Sequence, residues 1–300
     1  MALVGTTAAG KSAVAMAIAR VIDDVEIVSV DSMQVYRGMD IGTAKPSKAD
    51  RSEVPHHLID LVDPWDDFDV HAFQTAVSAA LADISTRGKR ALLVGGTGLY
   101  LRAVVDELTL PGRYPEVVTE LDREPDTTGL HRRLRLLDPH AASRMEPTNR
   151  RRVIRALEVC LGSGQPFSSY GPGLDAYPPT RFELVGLWLP RQVVAARIAQ
   201  RYDEQLRAGL LDEVRQLARQ PRPLSRTAAQ ALGYRELLAH ERGDVTLHDA
   251  IEAAIARTRK FARRQRVWFR RDPRITWVGA AEDPSVVVPA LIRHALALWD

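Results

Sequence analysis

Short apolar runs recur along the chain, each closed by glycine or a polar turn. Ala2-Leu3-Val4, residues 26–30, Ala91-Leu92-Leu93-Val94, residues 182–189 and residues 275–278 are aliphatic and rich in β-branched side chains. That is the pattern of strands buried in a sheet. Between them the apolar positions switch to a helical period over residues 13–20, 70–87, 192–219 and 285–299, with a break near Gly209. Asp69 reads as the N-cap of the 70–87 helix and Gly88 as its stop. Strands alternating with helices predict an α/β core, a parallel sheet flanked by helices.

From residue 111 to residue 179 the pattern changes. Pro, Gly, Arg and Asp dominate, residues 130–137 and 151–161 have a helical period, and no strand stands out. This predicts a helical insertion domain, 111–179, in a core made of 1–110 and 180–300. The insertion ends at Gly171-Pro172-Gly173 and Pro178-Pro179.

Composition narrows the class. With 300 residues, 45% hydrophobic and 26% charged, the chain is an ordinary folded protein. Its one cysteine, Cys160, excludes an internal disulfide framework and a cysteine-rich zinc site. No apolar run is long enough to span a bilayer and no leader pattern is present, so the cytoplasm is the expected compartment. A monomer is expected.

The first turn carries chemistry. Gly5-Thr6-Thr7-Ala8-Ala9-Gly10-Lys11-Ser12 fits G-x-x-x-x-G-K-[ST], a phosphate loop of the nucleotide- and ATP-binding type. It lies between a strand and a helix, the order the motif requires. The glycines let backbone N–H groups turn toward an anion, and the helix N-terminus adds partial positive charge. Lys11 can reach a phosphate, and Ser12 can ligate Mg²⁺.

Asp31 follows the second strand, where open α/β sheets bind ligands, although Asp-Ser is also a common cap. Residues 33–46 have neither period and read as an ordered functional loop. His56 and His57 are adjacent, so they face different ways and read as packing or hydrogen-bonding groups. Gly95-Gly96-Thr97-Gly98 is a second glycine turn after a strand. It either brings backbone donors and the Thr97 hydroxyl to the same crevice or is a tight strand-to-helix turn. No acid follows that strand, which weighs against a hydrolysing NTPase.

Charge is concentrated in two places. Arg150, Arg151, Arg152 and Arg155 crowd one helix start, against the dipole, which favours a partner phosphate. Residues 257–271 hold Arg263, Arg264 and Arg266 among several other basic residues and no acid. Phe261, Ala262, Val267 and Trp268 are expected to face inward and the arginines outward, toward a nucleic-acid backbone.

These stretches together resemble one family. The phosphate loop, residues 30–46, His56-His57-Leu58-Ile59-Asp60, Gly95 to Tyr100, Arg155-Ala156-Leu157-Glu158-Val159, Gln230-Ala231-Leu232-Gly233-Tyr234 and residues 258–265 carry the resemblance. The chain resembles the bacterial tRNA dimethylallyltransferases of the IPP transferase family, which prenylate the adenine just 3′ of the anticodon. The resemblance covers nearly the whole chain, and its loop from Asp31 to Pro46 is the most specific part. It departs at Thr6, where proline is usual, at Ala9, where serine or glycine is common, and in a short insertion between Glu107 and His131.

The resemblance implies a P-loop NTPase-like fold that grips dimethylallyl diphosphate instead of ATP, with tRNA as acceptor and Mg²⁺ as cofactor. Asp31 is then the candidate base. Thr97, Lys11, Ser12 and Arg201 hold the diphosphate. Asp31, Ser32, Met33, Gln34, Arg151, Arg152, Arg155, Gln230, Gly233, Tyr234 and Arg235 line the tRNA path, and Arg263, Arg264 and Arg266 contact its backbone. A P-loop kinase of a small metabolite, a prenyltransferase of free adenine nucleotides and an RNA-binding NTP switch are the rivals.

Overall fold

Ala2–Gly5 forms the first strand, β1, and all four of its residues are buried, as a strand covered on both faces requires. The computed structural model describes residues 1–299. They fall into two units, residues 1–105 together with the chain from 179 onward, and residues 106–178. In the larger unit β1 is followed by α1 (Lys11–Ala19), β2 (Val25–Val30), α2 (Lys48–Glu53), β3 (His56–His57), α3 (Val70–Thr86), β4 (Arg90–Gly95) and α4 (Gly98–Val105). The smaller unit holds α5 (Pro115–Asp122), α6 (Thr127–Leu137), α7 (Pro139–Ser143) and α8 (Arg150–Ser163). The larger unit resumes with β5 (Leu184–Trp188), α9 (Arg191–Arg207), α10 (Leu210–Ala218), α11 (Tyr234–Glu241), α12 (Leu247–Arg270), β6 (Thr276–Gly279) and α13 (Val288–Trp299).

The six strands lie in the order β3-β2-β4-β1-β5-β6, and every pairing is parallel. Ala2 sits between Leu93 of β4 and Leu184 of β5. With the phosphate loop between β1 and α1, this is a P-loop NTPase-like core. The three neighbouring strands β2, β4 and β1 end at Val30, Gly95 and Gly5, so the segments that follow them emerge on one edge.

Local chemistry explains the boundaries. The Asp69 carboxylate accepts from the His71 and Ala72 amides and starts α3. Gly88, at φ +66°, ends the turn after it, and Gly209, at φ +99°, separates α9 from α10. The two histidines do hydrogen-bond. His56 Nδ1 pairs with the Val54 carbonyl, and His57 Nε2 with the buried Glu26 carboxylate. The Arg87 guanidinium at the end of α3, with His57, holds Glu26 down at about 2.

Helix α12 corrects the expected face. It begins ten residues before 257, where the Thr246 hydroxyl accepts from the Asp249 amide. Ala262, Gln265, Arg266 and Phe269 point inward, while Val267 is 51% exposed and Phe261 and Trp268 are half-buried. The helical period puts 262, 265, 266 and 269 on one face. Apolar character alone selected 267 and missed the two polar residues inside.

The smaller unit has its own core of Leu121, Leu130, Leu134, Val153 and Leu157. Among the described residues no helix is long and apolar enough to cross a membrane.

Candidate active site

Gly5 adopts φ +150°, and a side chain there would meet the Leu187 carbonyl of β5 at 2.7 Å. Only glycine therefore fits where the end of β1 passes against β5. Gly10, at φ +92°, is the N-cap of α1 and offers no side-chain cap. The first-turn amides of α1 are left facing open space, with Ser12 and Ala13 exposed. Ala8, at φ +60°, takes the left-handed region in between, which shapes a concave run of amides.

A cavity of about 790 Å³ opens over this turn, lined by Lys11, Ser12, Asp31, Gln34, Thr97 and Arg201 among others. Its volume is within the roughly 300–1,000 Å³ of small-ligand sites. Lys11 donates from Nζ to the Thr6 carbonyl at 2.8 Å. Burial pushes its pKa down to about 8, against a smaller opposing pull from Asp31, and Arg201 lowers it further. Arg201 Nη1 lies 3.3 Å from the Thr7 hydroxyl, and burial lowers its pKa too, though a guanidinium stays charged. One turn earlier on α9, Arg197 Nε donates to the Ala8 carbonyl at 2.9 Å.

Asp31 is organised by its own loop. Its Oδ1 accepts from the Met33 amide at 2.8 Å and the Gln34 amide at 3.4 Å. Its Oδ2 has no hydrogen bond to a described residue. The Thr97 hydroxyl accepts from the Ser32 amide at 3.3 Å, which ties the turn after β4 to the loop after β2.

The loop from Asp31 to Pro46 is clamped from several sides. Glu213 of α10 accepts from the amides of Asp40, Ile41 and Gly42 and from the Tyr234 hydroxyl. Gln205 donates to the carbonyls of Ile41 and Gly42. Lys45 reaches Asp40, Asp60 and the Tyr36 carbonyl. The Tyr234 ring fills the space a side chain at Gly42 would need, within 2.4 Å. Sequence reasoning missed Glu213, Gln205 and Arg197 as loop supports. Only Arg197's place one turn from Arg201 signalled its role.

The structure redistributes the residues expected on the tRNA path. Arg151, Arg152, Arg235, Arg263 and Arg264 are exposed, as is Gln230, and Ser32 and Met33 are half-buried. Arg264 lies over the Phe261 ring and lines the cavity. Arg266 is a correction. It is 8% exposed, donates to the Leu189 carbonyl at 2.6 Å and lies over the Trp188 ring. Tyr234 is fully buried, Gly233 is buried beside the Tyr202 ring, and Gln34 donates to the carbonyls of Thr43 and Ala44, so these three shape the wall from within. In the smaller unit Arg155 is occupied by the carbonyls of Pro111 and Gly112 and by Glu158.

For a divalent ion, no cluster of three or more His, Cys, Asp or Glu exists among the described residues. The Ser12 hydroxyl, at an open helix start, is a donor of the kind Mg²⁺ accepts, since that ion takes one or two protein ligands and completes its shell with phosphate oxygens and water. The residues therefore fit an ion carried in with a phosphorylated ligand.

Comparison with known proteins points one way. The family model described as IPP transferase matches residues 34–272. A protein of Salinispora tropica named tRNA dimethylallyltransferase is 46% identical over 282 residues, 93% of this chain and 88% of its own length. The crystal structure of the full-length tRNA isopentenylpyrophosphate transferase of Bacillus halodurans superposes with a TM-score of 0.72 at 35% identity, covering 99% of this chain and 95% of that one. Structures of a eukaryotic dimethylallyltransferase acting on tRNA give 0.81 at 27% identity, covering 99% of this chain and 77% of that one.

Proposed function

Because this chain belongs to the IPP transferase family, we propose that it is a tRNA-modifying prenyltransferase. It transfers a dimethylallyl group from dimethylallyl diphosphate to N6 of the adenine 3′ of the anticodon and releases diphosphate. The observation that carries this reading is Asp31. One of its oxygens is fixed by two amides and the other is open, in the same cavity as the phosphate loop.

The reaction needs a proton taken and a charge held. N6 attacks C1 of the prenyl chain, the C1–O bond breaks, and the electron pair leaves with diphosphate. Asp31 accepts a hydrogen bond from the amino group and takes the N6 proton as the C–N bond forms. The first-turn amides of α1, Lys11 and Arg201 hold the diphosphate oxygens, and Thr97 adds a hydroxyl. Arg201 suits this because its planar fork binds two oxygens. Ser12 would hold Mg²⁺ with the diphosphate, and the ion supplies further charge neutralisation on the leaving group. The target base must leave the anticodon-loop stack to reach Asp31. Arg151, Arg152, Arg263 and Arg264 are the exposed basic groups offered to RNA phosphates.

Incubation with unmodified tRNA, dimethylallyl diphosphate and Mg²⁺ should give prenylated adenine and free diphosphate. Asp31→Ala should cut turnover by about 10²–10⁴-fold and leave tRNA binding intact. Phosphoryl transfer from ATP to a small molecule, with no prenyl-adenine, would replace this reading by the kinase one.

A further inference from the structure

Gln265 sits in the middle of α12 and is 6% exposed. Both ends of its side-chain amide are used. Oε1 accepts from the Thr7 amide at 2.8 Å, and Nε2 donates to the Gly96 carbonyl at 2.8 Å. Those partners fix the amide's orientation, since the reverse would set oxygen against carbonyl and N–H against N–H. Thr7 belongs to the phosphate loop and Gly96 to the turn that presents Thr97.

β1 and β4 are neighbours, paired up to Val4 and Gly95. Beyond that point no ladder hydrogen bond sets the spacing of the two loops. Gln265 bridges them there. A side chain at Gly96 would come within 2.4 Å of Gln265 Nε2, and one at Gly98 within 2.2 Å of the Trp268 indole nitrogen. The glycines on either side of Thr97 are therefore required by α12, which seats the turn through two residues one helical turn apart. Thr7 is held twice, by Gln265 at its amide and by Arg201 at its hydroxyl.

We infer that Gln265 is a positioning residue for the transfer, a strut that fixes the diphosphate-holding loop against the Thr97 turn. The inference rests on the proposed reading of the site. It predicts a defect in holding the donor and not in binding tRNA. Gln265→Leu fills the space but leaves a buried N–H and a buried carbonyl unpaired. Gln265→Glu keeps the shape. Protonated, it again offers one donor and one acceptor. Ionised, it sets a negative charge against the Gly96 carbonyl.

The test is calorimetric titration of the full chain with inorganic pyrophosphate and Mg²⁺, without tRNA, followed by steady-state kinetics. Gln265→Leu should weaken pyrophosphate binding and raise the KM for dimethylallyl diphosphate, each at least tenfold, with the KM for tRNA unchanged. In Gln265→Glu, pyrophosphate affinity relative to wild type should improve as pH falls from about 9 to about 6, as the carboxyl gains its proton. A donor KM and pyrophosphate affinity at wild-type level in Gln265→Leu would overturn the inference. So would a Gln265→Glu to wild-type ratio that does not move with pH, which also decides the matter if the Leu variant fails to fold. Because pyrophosphate binding needs no tRNA, these outcomes stand apart from any failure of the wild-type chain to prenylate RNA.

Discussion

Lys11 keeps its ammonium where burial lowers its pKa to about 8, so its charge titrates within reach of ordinary buffers. In the free protein it is charged below that value and loses its proton above it. Diphosphate needs the charged form. Measured against Lys11→Met, which cancels the ligand's own ionisation, affinity for pyrophosphate should therefore be flat below about pH 8 and fall by up to about tenfold per pH unit above it. Calorimetry of both proteins across that range checks this. Stability runs the other way. The unfolded side chain, at 10.5, binds a proton that the folded one releases between about 8 and 10.5, so folding is favoured as pH rises through that window. Lys11 and Asp31 were legible in the sequence because their partners lie within a few residues of them. Gln265 was not, since its partner Thr7 lies 258 positions away and nothing local marks a polar residue as buried.

At the level of elements, α12 joins two tasks on opposite faces. Its exposed edge carries Arg263 and Arg264, while Gln265, Arg266 and Phe269 face the sheet. The sequence showed that a basic helix was present but not its phase. Val267 is apolar and outside, and Arg266 is charged and inside. Long arginine stems bury readily when the head finds a carbonyl, as Arg266 does at Leu189. The two kinds of arginine should separate by experiment. Arg263→Ala with Arg264→Ala should weaken tRNA binding and reduce the slope of log affinity against log salt by up to about 2. Arg266→Ala should leave that slope alone and lower the melting temperature, because it unpairs a buried carbonyl and uncovers the Trp188 ring. A reduced slope in Arg266→Ala would return it to the interface.

Across the whole molecule, the parallel sheet followed from the alternation of strand and helix periods along the chain. The sheet order did not. Which strands neighbour β1 depends on crossovers that no local pattern encodes, and here β4 and β5 flank it. The smaller unit has a core of its own, so damage there should stay there. Leu134 is fully buried in it. Leu134→Ala should cost about 2–5 kcal/mol and loosen residues 106–178 by hydrogen exchange, while pyrophosphate binding to the larger unit persists. Loss of that binding would show that the two units fold as one.

The place of β1 sets an order on synthesis. It leaves the ribosome ahead of its partners β4 and β5, which follow roughly ninety and one hundred and eighty residues later. The middle of the sheet stays open on one side until β5 emerges. By then the intervening residues 106–178, which hold a core of their own, have emerged whole. Loop closure over that span slows the final step, and a nascent chain halted before residue 184 carries a bare strand edge that a holdase chaperone would shield.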